Sequence, residues 1–155
     1  MNTAHMLALH PFVAGLSNEQ LVALSGCATP VRFDPGDVIF REGDPADACY
    51  LVRAGHVALQ LHAPDGPLVI ETLVGEHVLG WSWLVAPHRW RFDAVAVDEV
   101  DTIHLDAACV RGLMRDDPQL GSAVAQQLLA VVGDRLEHTR VRLLDVYGHH
   151  HARSI

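Results

Sequence analysis

Short runs of Val, Ile, Leu, Tyr and Phe alternate with glycine-centred polar breaks through the middle of this chain, and a longer apolar period replaces them towards its end. Gly36, Gly43, Gly55, Gly66, Gly75 and Gly80 mark the breaks. Such a rhythm predicts short strands turning on glycines, an all-β roll. Ahead of it, Pro11 and Gly15 interrupt the first apolar segment. Leu16-Ser17-Asn18-Glu19-Gln20-Leu21 then reads as a helix start, with Ser17 as cap and Gln20 three residues on, as in a capping box. Leu21, Val22 and Leu24 continue that helix and Gly26 ends it.

The predicted strands are Val31–Phe33, Val38–Phe40, Cys49–Val52, His56–Leu61, Leu68–Leu73, Phe92–Val97 and Asp101–Leu105, about eight once the central segment is included. Val57, Leu59 and Leu61 should share one face. Asp34-Pro35-Gly36-Asp37 and Pro64-Asp65-Gly66-Pro67 are turns, since proline fixes φ and glycine tolerates positive φ. The period then changes. Asp106 caps a helix over Ala107–Met114, and Asp117-Pro118 starts another that runs to about Tyr147, roughly 30 residues and near 45 Å at 1.5 Å per residue. Ala125, Leu129, Val132, Leu136, Thr139, Leu143 and Val146 alternate spacings of four and three, a heptad seam. It predicts a homodimer through this helix. The competing expectation is that the stripe packs on its own sheet, and both hold if the first half meets the roll and the second half a partner.

The 155 residues suffice for one compact domain, and half of them are hydrophobic. No stretch resembles a membrane span, and Met1-Asn2-Thr3-Ala4-His5 lacks the basic start and apolar core of a signal peptide, so a cytoplasmic location is expected. All 11 basic residues are arginine and the net charge is −8. Without lysine there is neither a Schiff-base nor a P-loop lysine. The acidic balance argues against direct nucleic-acid binding, which must neutralise phosphates. Cys27, Cys49 and Cys109 are far apart, with no CxxC pair, and are expected to be reduced, buried thiols. No Gly-x-Ser-x-Gly and no catalytic Cys–His pattern appears, so the chain is read as a non-enzyme. His10, His62 and His77 show no metal-ligand spacing, His104 should be exposed or satisfied at a sheet edge, and His149-His150-His151 reads as a solvated tail rather than a metal site.

Gly80-Trp81-Ser82-Trp83-Leu84 and Pro87-His88-Arg89-Trp90-Arg91-Phe92-Asp93-Ala94 bring charge and aromatics together around a predicted short helix at Ser82–Leu84, and any ligand site is expected there. If that segment returns as a strand, Arg89 and Arg91 share one face and Trp90 and Phe92 the other. The cost of burying arginine favours an apolar interior formed by Trp90 and Phe92. Asp93 beside Arg91 is expected to form a local ion pair.

Leu16-Ser17-x-x-Gln20-Leu21, Phe33-x-Pro35-Gly36-x-x-Ile39-Phe40-x-x-Gly43-Asp44, Tyr50-Leu51-Val52-x-x-Gly55, the long last helix and Leu144-Asp145-Val146-x-Gly148 together resemble the cyclic-nucleotide-binding domain of the Crp/Fnr-type bacterial regulators, over Leu16 to Gly148. The resemblance implies a mainly β fold with flanking helices: an eight-stranded jelly roll followed by a long dimerisation helix. The domain would span 1–148, with the roll at about 28–106, the C-terminal helices at about 107–147 and a short tail at 149–155. It implies a regulatory ligand sensor whose helix-turn-helix output is missing, so that a separate output protein would receive the signal. In that family a phosphate cassette begins Gly-Glu and ends with an arginine followed by a small or hydroxyl residue; the glutamate holds the ribose and the arginine the phosphate. Here Gly80 is kept but Trp81 follows it. Counting back from Ala96 puts Trp90 at the arginine position, while counting forward from Gly80 leaves Arg91 as a phosphate anchor, with Arg89 nearby. The site candidates are therefore Gly80, Trp81, Ser82, Trp83, Arg89, Trp90, Arg91 and Asp93. Three outcomes stay open: a pocket closed by Trp81, Trp83 and Trp90 in a dimeric interaction protein, a remodelled pocket for another small anionic or planar ligand, or a retained cyclic-nucleotide site.

Overall fold

A computed structural model describes residues 2–153, with side chains through residue 145. Eight strands form two four-stranded antiparallel sheets. One orders β1 (Ala28–Phe33), β8 (Val100–Asp106), β3 (Ala48–Ala54) and β6 (His77–Val78); the other orders β2 (Val38–Phe40), β7 (Asp93–Ala96), β4 (His56–Ala63) and β5 (Gly66–Val74). The expected jelly roll is thus present. Its two sheets close over Leu51, Val57, Leu59, Ile103 and Leu105, each at most 2% exposed. Val57 and Leu59 share one face of β4, and Ile103 and Leu105 one face of β8, as the pleat requires. Gly55 joins β3 to β4 at φ +106°, and a Cβ there would lie 2.5 Å from the Glu99 carbonyl oxygen, so only glycine allows the two connections to cross so closely.

The helices bracket the roll. Helix α2 (Asn18–Ser25) carries the predicted capping box: Ser17 Oγ accepts from Gln20 N–H, Gln20 Oε1 from Ser17 N–H, and Gly26 is the C-cap. Asp106 caps α3 (Ala107–Asp116) through the Cys109 N–H. Asp117 accepts from the N–H groups of Gln119 and Leu120 at the start of α4, which spans Pro118–Arg153, past the expected end near Tyr147. Leu120, Val124 and Leu128 of α4 are buried against the domain. The heptad residues form a separate stripe: Ala125, Leu129, Leu136, Thr139 and Leu143 are exposed and Val132 is half-buried, while the Val146 side chain lies outside the described residues. The expectation that this stripe packs on its own sheet is corrected, because the chain uses a neighbouring stripe for that purpose.

Several expectations fail for identifiable reasons. Cys27 and Cys109 form a disulfide instead of remaining reduced; only Cys49 is a free, buried thiol. The sequence separation of 82 hides the pairing. The β1–β8 register places Ala28 opposite Leu105, so Cys27 meets the end of β8 just where α3 begins, and Asp106 N–H donates to the Cys27 carbonyl. Leu61 leaves the core with 37% exposure because the β4–β5 register shifts after Leu59. His104 is half-buried, edge-on to Tyr50 with ring centroids 5.3 Å apart. Helix α1 (Thr3–Ala8), capped by Asn2, and strand β6 lie where the pattern assigned no element.

His10, after α1, is 4% exposed. Its Nδ1 accepts the Phe12 N–H at 3.1 Å, so Nε2 carries the proton and donates to the Val52 carbonyl at 2.9 Å. Burial holds its pKa below the ordinary 6.5, because desolvation penalises the charged ring. The folded state thus favours neutral His10: its contribution to stability is complete above about pH 6.5 and is lost as pH falls through the depressed folded value. Thermal melts from about pH 7.5 to 5 should lose more stability for the wild type than for His10→Gln, which keeps a donor and an acceptor but does not titrate. Parallel pH profiles would contradict this assignment.

Candidate functional site

Between β6 and β7 the chain reverses direction at Gly80, whose φ of +77° suits glycine. The predicted helix at Ser82–Leu84 is not formed. Hydrogen-bonded turns stand in its place, the first closed by Leu84 N–H to the Trp81 carbonyl at 3.0 Å. A segment so rich in tryptophan satisfies itself by burying rings rather than by extending a helix. Ser82 and Trp83 are buried, Trp83 completely, and its carbonyl accepts from Arg111 of α3 at 2.6 Å. The Trp83 indole Nε1 is the one buried side-chain polar atom without a partner among the described residues.

The return limb is zipped to the turn after β2. Trp90 N–H donates to the Asp44 carbonyl, Gly43 N–H to the Trp90 carbonyl and Ala46 N–H to the His88 carbonyl. This pairing decides which face is interior. Trp90 is 3% exposed and stacks on Phe40, with ring centroids 3.7 Å apart and planes 7° from parallel. Phe92 is half-buried and also meets Phe40, at 5.7 Å. Gly80 is part of the same packing, since a Cβ there would lie 3.1 Å from the Trp90 ring. The apolar interior expected from the cost of burying arginine is therefore present.

The arginines face out. Arg89 is exposed and donates to the Gly43 carbonyl at 2.9 Å; Arg91 is exposed and joins no ion pair among the described residues. The expected Asp93–Arg91 pair is corrected. Asp93 is buried instead, accepts the Glu42 N–H at 2.7 Å and faces His62 Nε2 at 3.0 Å. Asp93 opens β7, which pairs with β2 and β4, and that pairing turns its carboxylate to Glu42 and His62 and away from Arg91. Of the eight candidates, the fold brings Gly80 against Trp90, buries Ser82, Trp83 and Asp93, leaves Trp81 half-buried and puts Arg89 and Arg91 outside.

Trp81 is half-buried and meets a residue that pattern reading missed. Arg135 of α4 lies 5.8 Å above its ring and donates to the Val78 carbonyl at 2.8 Å. Two turns further on, Arg142 donates to the Ile70 carbonyl at 2.6 Å. Desolvation lowers the pKa of Arg135, and Glu71 opposes that shift. The available signal was spacing: Leu128, Val131 and Arg135 share one helical stripe, so a charged residue there had to find a partner on the roll. Among the described residues, no group of three or more His, Cys, Asp or Glu side chains is placed to hold a metal ion, and no helix is long and apolar enough to cross a membrane.

The roll, the segment after Gly80 and the long helix define a domain class, and comparison agrees. The chain belongs to the cyclic nucleotide-binding domain family, whose profile matches residues 30–117. It is 29% identical over 142 residues to a CRP-like cAMP-activated global transcriptional regulator of Mycobacterium tuberculosis, covering 91% of this chain but only 62% of that protein. Among solved structures it resembles the N-terminal domain of a Streptomyces coelicolor transcriptional regulator (TM-score 0.66, 27% identity, 88% of this chain and 94% of that one). It also resembles the Thermus thermophilus catabolite activator protein (TM-score 0.67, 28% identity, 86% of this chain and 61% of that one).

Because Trp90 fills the interior, Trp90→Ala should behave as a core truncation and cost about 3–5 kcal/mol. Denaturant unfolding measures it. A cost below about 1 kcal/mol would mean that the ring is not packed as described.

Proposed function

We propose that this protein is a regulatory module of the cyclic nucleotide-binding fold, not an enzyme, in which an altered cassette is closed by tryptophan and takes no cyclic nucleotide with ordinary affinity. The observation that carries this reading is Trp90 stacked on Phe40 beneath Gly80. A guanidinium and a phosphate would have to occupy the space that the indole fills. Neither alternative anchor supports a nucleotide, since Arg89 is tied to the Gly43 carbonyl and Arg91 points to solvent. Trp81 has no carboxylate to accept the two ribose hydroxyl protons. This favours the closed-pocket alternative over a cassette remodelled for another anion.

The output route is the long helix. Arg135 and Arg142 hold it to β6 and β5, and an exposed stripe from Ala125 to Leu143 runs along its free side. Leu129 (71% exposed), Leu136 (61%) and Leu143 (57%) are costly to leave in water, and a second copy with the same stripe would cover them. The module would then act as a homodimer on a separate output protein in the cytoplasm, without itself binding nucleic acid. Domain limits of 1–148, with a short tail at 149–155, belong to the same proposal.

Titration calorimetry with cAMP and with cGMP should give dissociation constants above roughly 100 μM, a binding free energy weaker than about −5.5 kcal/mol. Low-micromolar binding of either nucleotide would overturn the closed-cassette reading.

Leu136→Asp should abolish the dimer, because an unpaired charge buried in the seam costs several kcal/mol. Sedimentation at micromolar concentration should show the wild type as dimers and the variant as monomers. A variant that stays dimeric would place the interface elsewhere.

A further inference from the structure

The disulfide between Cys27 and Cys109 spans a sequence separation of 82, with Cα atoms 5.7 Å apart, inside the usual range for such a bond. Cys27 lies between α2 and β1, and Cys109 in the first turn of α3. The bond is not what brings these segments together. All of β1 pairs with β8 immediately beside it, Asp106 N–H donates to the Cys27 carbonyl at 3.0 Å, and Ala107 N–H donates to the Asp47 carbonyl at 3.0 Å. Leu24 of α2 and Ala107 and Val110 of α3 are each at most 1% exposed and belong to one core. Asp106 caps α3 through the Cys109 backbone N–H, a contact that does not involve the sulfur. With the bond open, the two thiols therefore stay side by side, and thiols held at close range react as an intramolecular pair. A chain of 155 residues with this core also does not need a covalent staple to fold, unlike small secreted domains.

Access and selectivity point the same way. Cys109 is half-buried at the start of α3, whereas Cys27 is 6% exposed, so Cys109 is the end that an outside thiolate meets. Cys49 is fully buried in β3, and desolvation pushes its thiol pKa up, so it supplies no thiolate to compete.

We infer that Cys27 and Cys109 are a reversible redox pair, joined by oxidation and opened by a thiol reductant without unfolding the domain, and that its state sets how firmly α3 is held. In reduction, a thiolate attacks the Cys109 sulfur and Cys27 leaves as a thiolate. A second thiolate attacks the reductant sulfur of the mixed disulfide, and Cys109 leaves. The protons of the two reductant thiols pass to the two cysteines, and the reductant departs as a disulfide, oxidised by two electrons. In oxidation by a hydroperoxide, the Cys109 thiolate attacks the peroxide, the O–O bond breaks and an alcohol or water leaves, giving a sulfenic acid. Cys27 then attacks that sulfur, and the sulfenic oxygen leaves as water with the Cys27 proton. The state of the pair reaches the rest of the molecule through α3. Arg111, two residues beyond Cys109, donates to the Trp83 carbonyl at 2.6 Å, and α3 passes through Asp117 directly into α4. The inference goes beyond the closed-cassette reading and does not depend on it.

The test uses the full chain in its native state. After millimolar reduced glutathione without denaturant, iodoacetamide should label Cys27 and Cys109 in the peptide map and leave Cys49 unlabelled. Far-UV circular dichroism should be unchanged, and the melting temperature should fall by about 5–15 °C. Amide exchange in α3 should quicken about tenfold or more, while β4 and β5 keep their rates. Hydrogen peroxide should then restore the bond within single chains, in the wild type and in Cys49→Ala alike. The double variant Cys27→Ala, Cys109→Ala should match the reduced wild type and respond to neither reagent. A bond that glutathione leaves closed, or a reduced chain that loses its secondary structure, would make this disulfide a permanent staple and overturn the proposal. Unchanged exchange in α3 on reduction, or labelling of Cys49 equal to that of Cys27, would overturn it as well. These deciding measurements are all made on the wild type, so none depends on a variant that folds.

Discussion

The packing inside this roll turns on Trp90, whose indole is buried on Phe40 against Gly80. Its indole lies flat on Phe40 and over Gly80, so the strand after the cassette, the turn after β2 and the Gly80 reversal are all fitted to the same slab of aromatic carbon. Protein interiors are close-packed, and these three segments pack around the one ring. The outward positions of Arg89 and Arg91 are a consequence. With the even-numbered residues of the limb inside, the neighbouring guanidiniums must reach a backbone carbonyl or water. A relative is a cAMP-activated regulator.

Two arginines tie the long helix to the roll. Arg135 spans from α4 to the Val78 carbonyl and the Trp81 ring, and Arg142 reaches the Ile70 carbonyl. The two contacts run from the helix to β6 and β5, edge strands of the two sheets, so α4 is held at two points separated by two turns. Each is a charged donor on a carbonyl, a stronger contact than a neutral hydrogen bond. The helix then has one stripe committed to its own domain and another, carrying Leu129, Leu136 and Leu143, facing away from it. A cavity between β5, β6 and α4 lies along this junction.

Local rules made much of the fold legible in the sequence. The capping box at Ser17 and Gln20, the Asp106 cap, the Asp117-Pro118 start, the glycine turns and the change of period after β8 depend on residues a few positions apart, and each appears as read. The interior position of Trp90 was also accessible, from the cost of burying arginine against the gain of burying an aromatic ring. What local reading could not supply were pairings across the chain. Cys27 and Cys109 meet because β1 runs antiparallel to β8. Asp93 turns to Glu42 and His62 instead of to Arg91, because its strand is joined to β2 and β4. The long helix likewise carries two apolar stripes, and only the docking of Val124 and Leu128 tells which one the roll consumes.

By itself, then, the sequence determined the class of fold and the order and caps of its elements, since these follow from side-chain type and short-range spacing. Only the tertiary structure decided that Trp90 stacks on Phe40, that Arg135 meets Trp81 and that Cys27 meets Cys109. Those facts arise from register and packing between residues tens of positions apart, where the free energy of a contact depends on what the rest of the chain has already brought beside it.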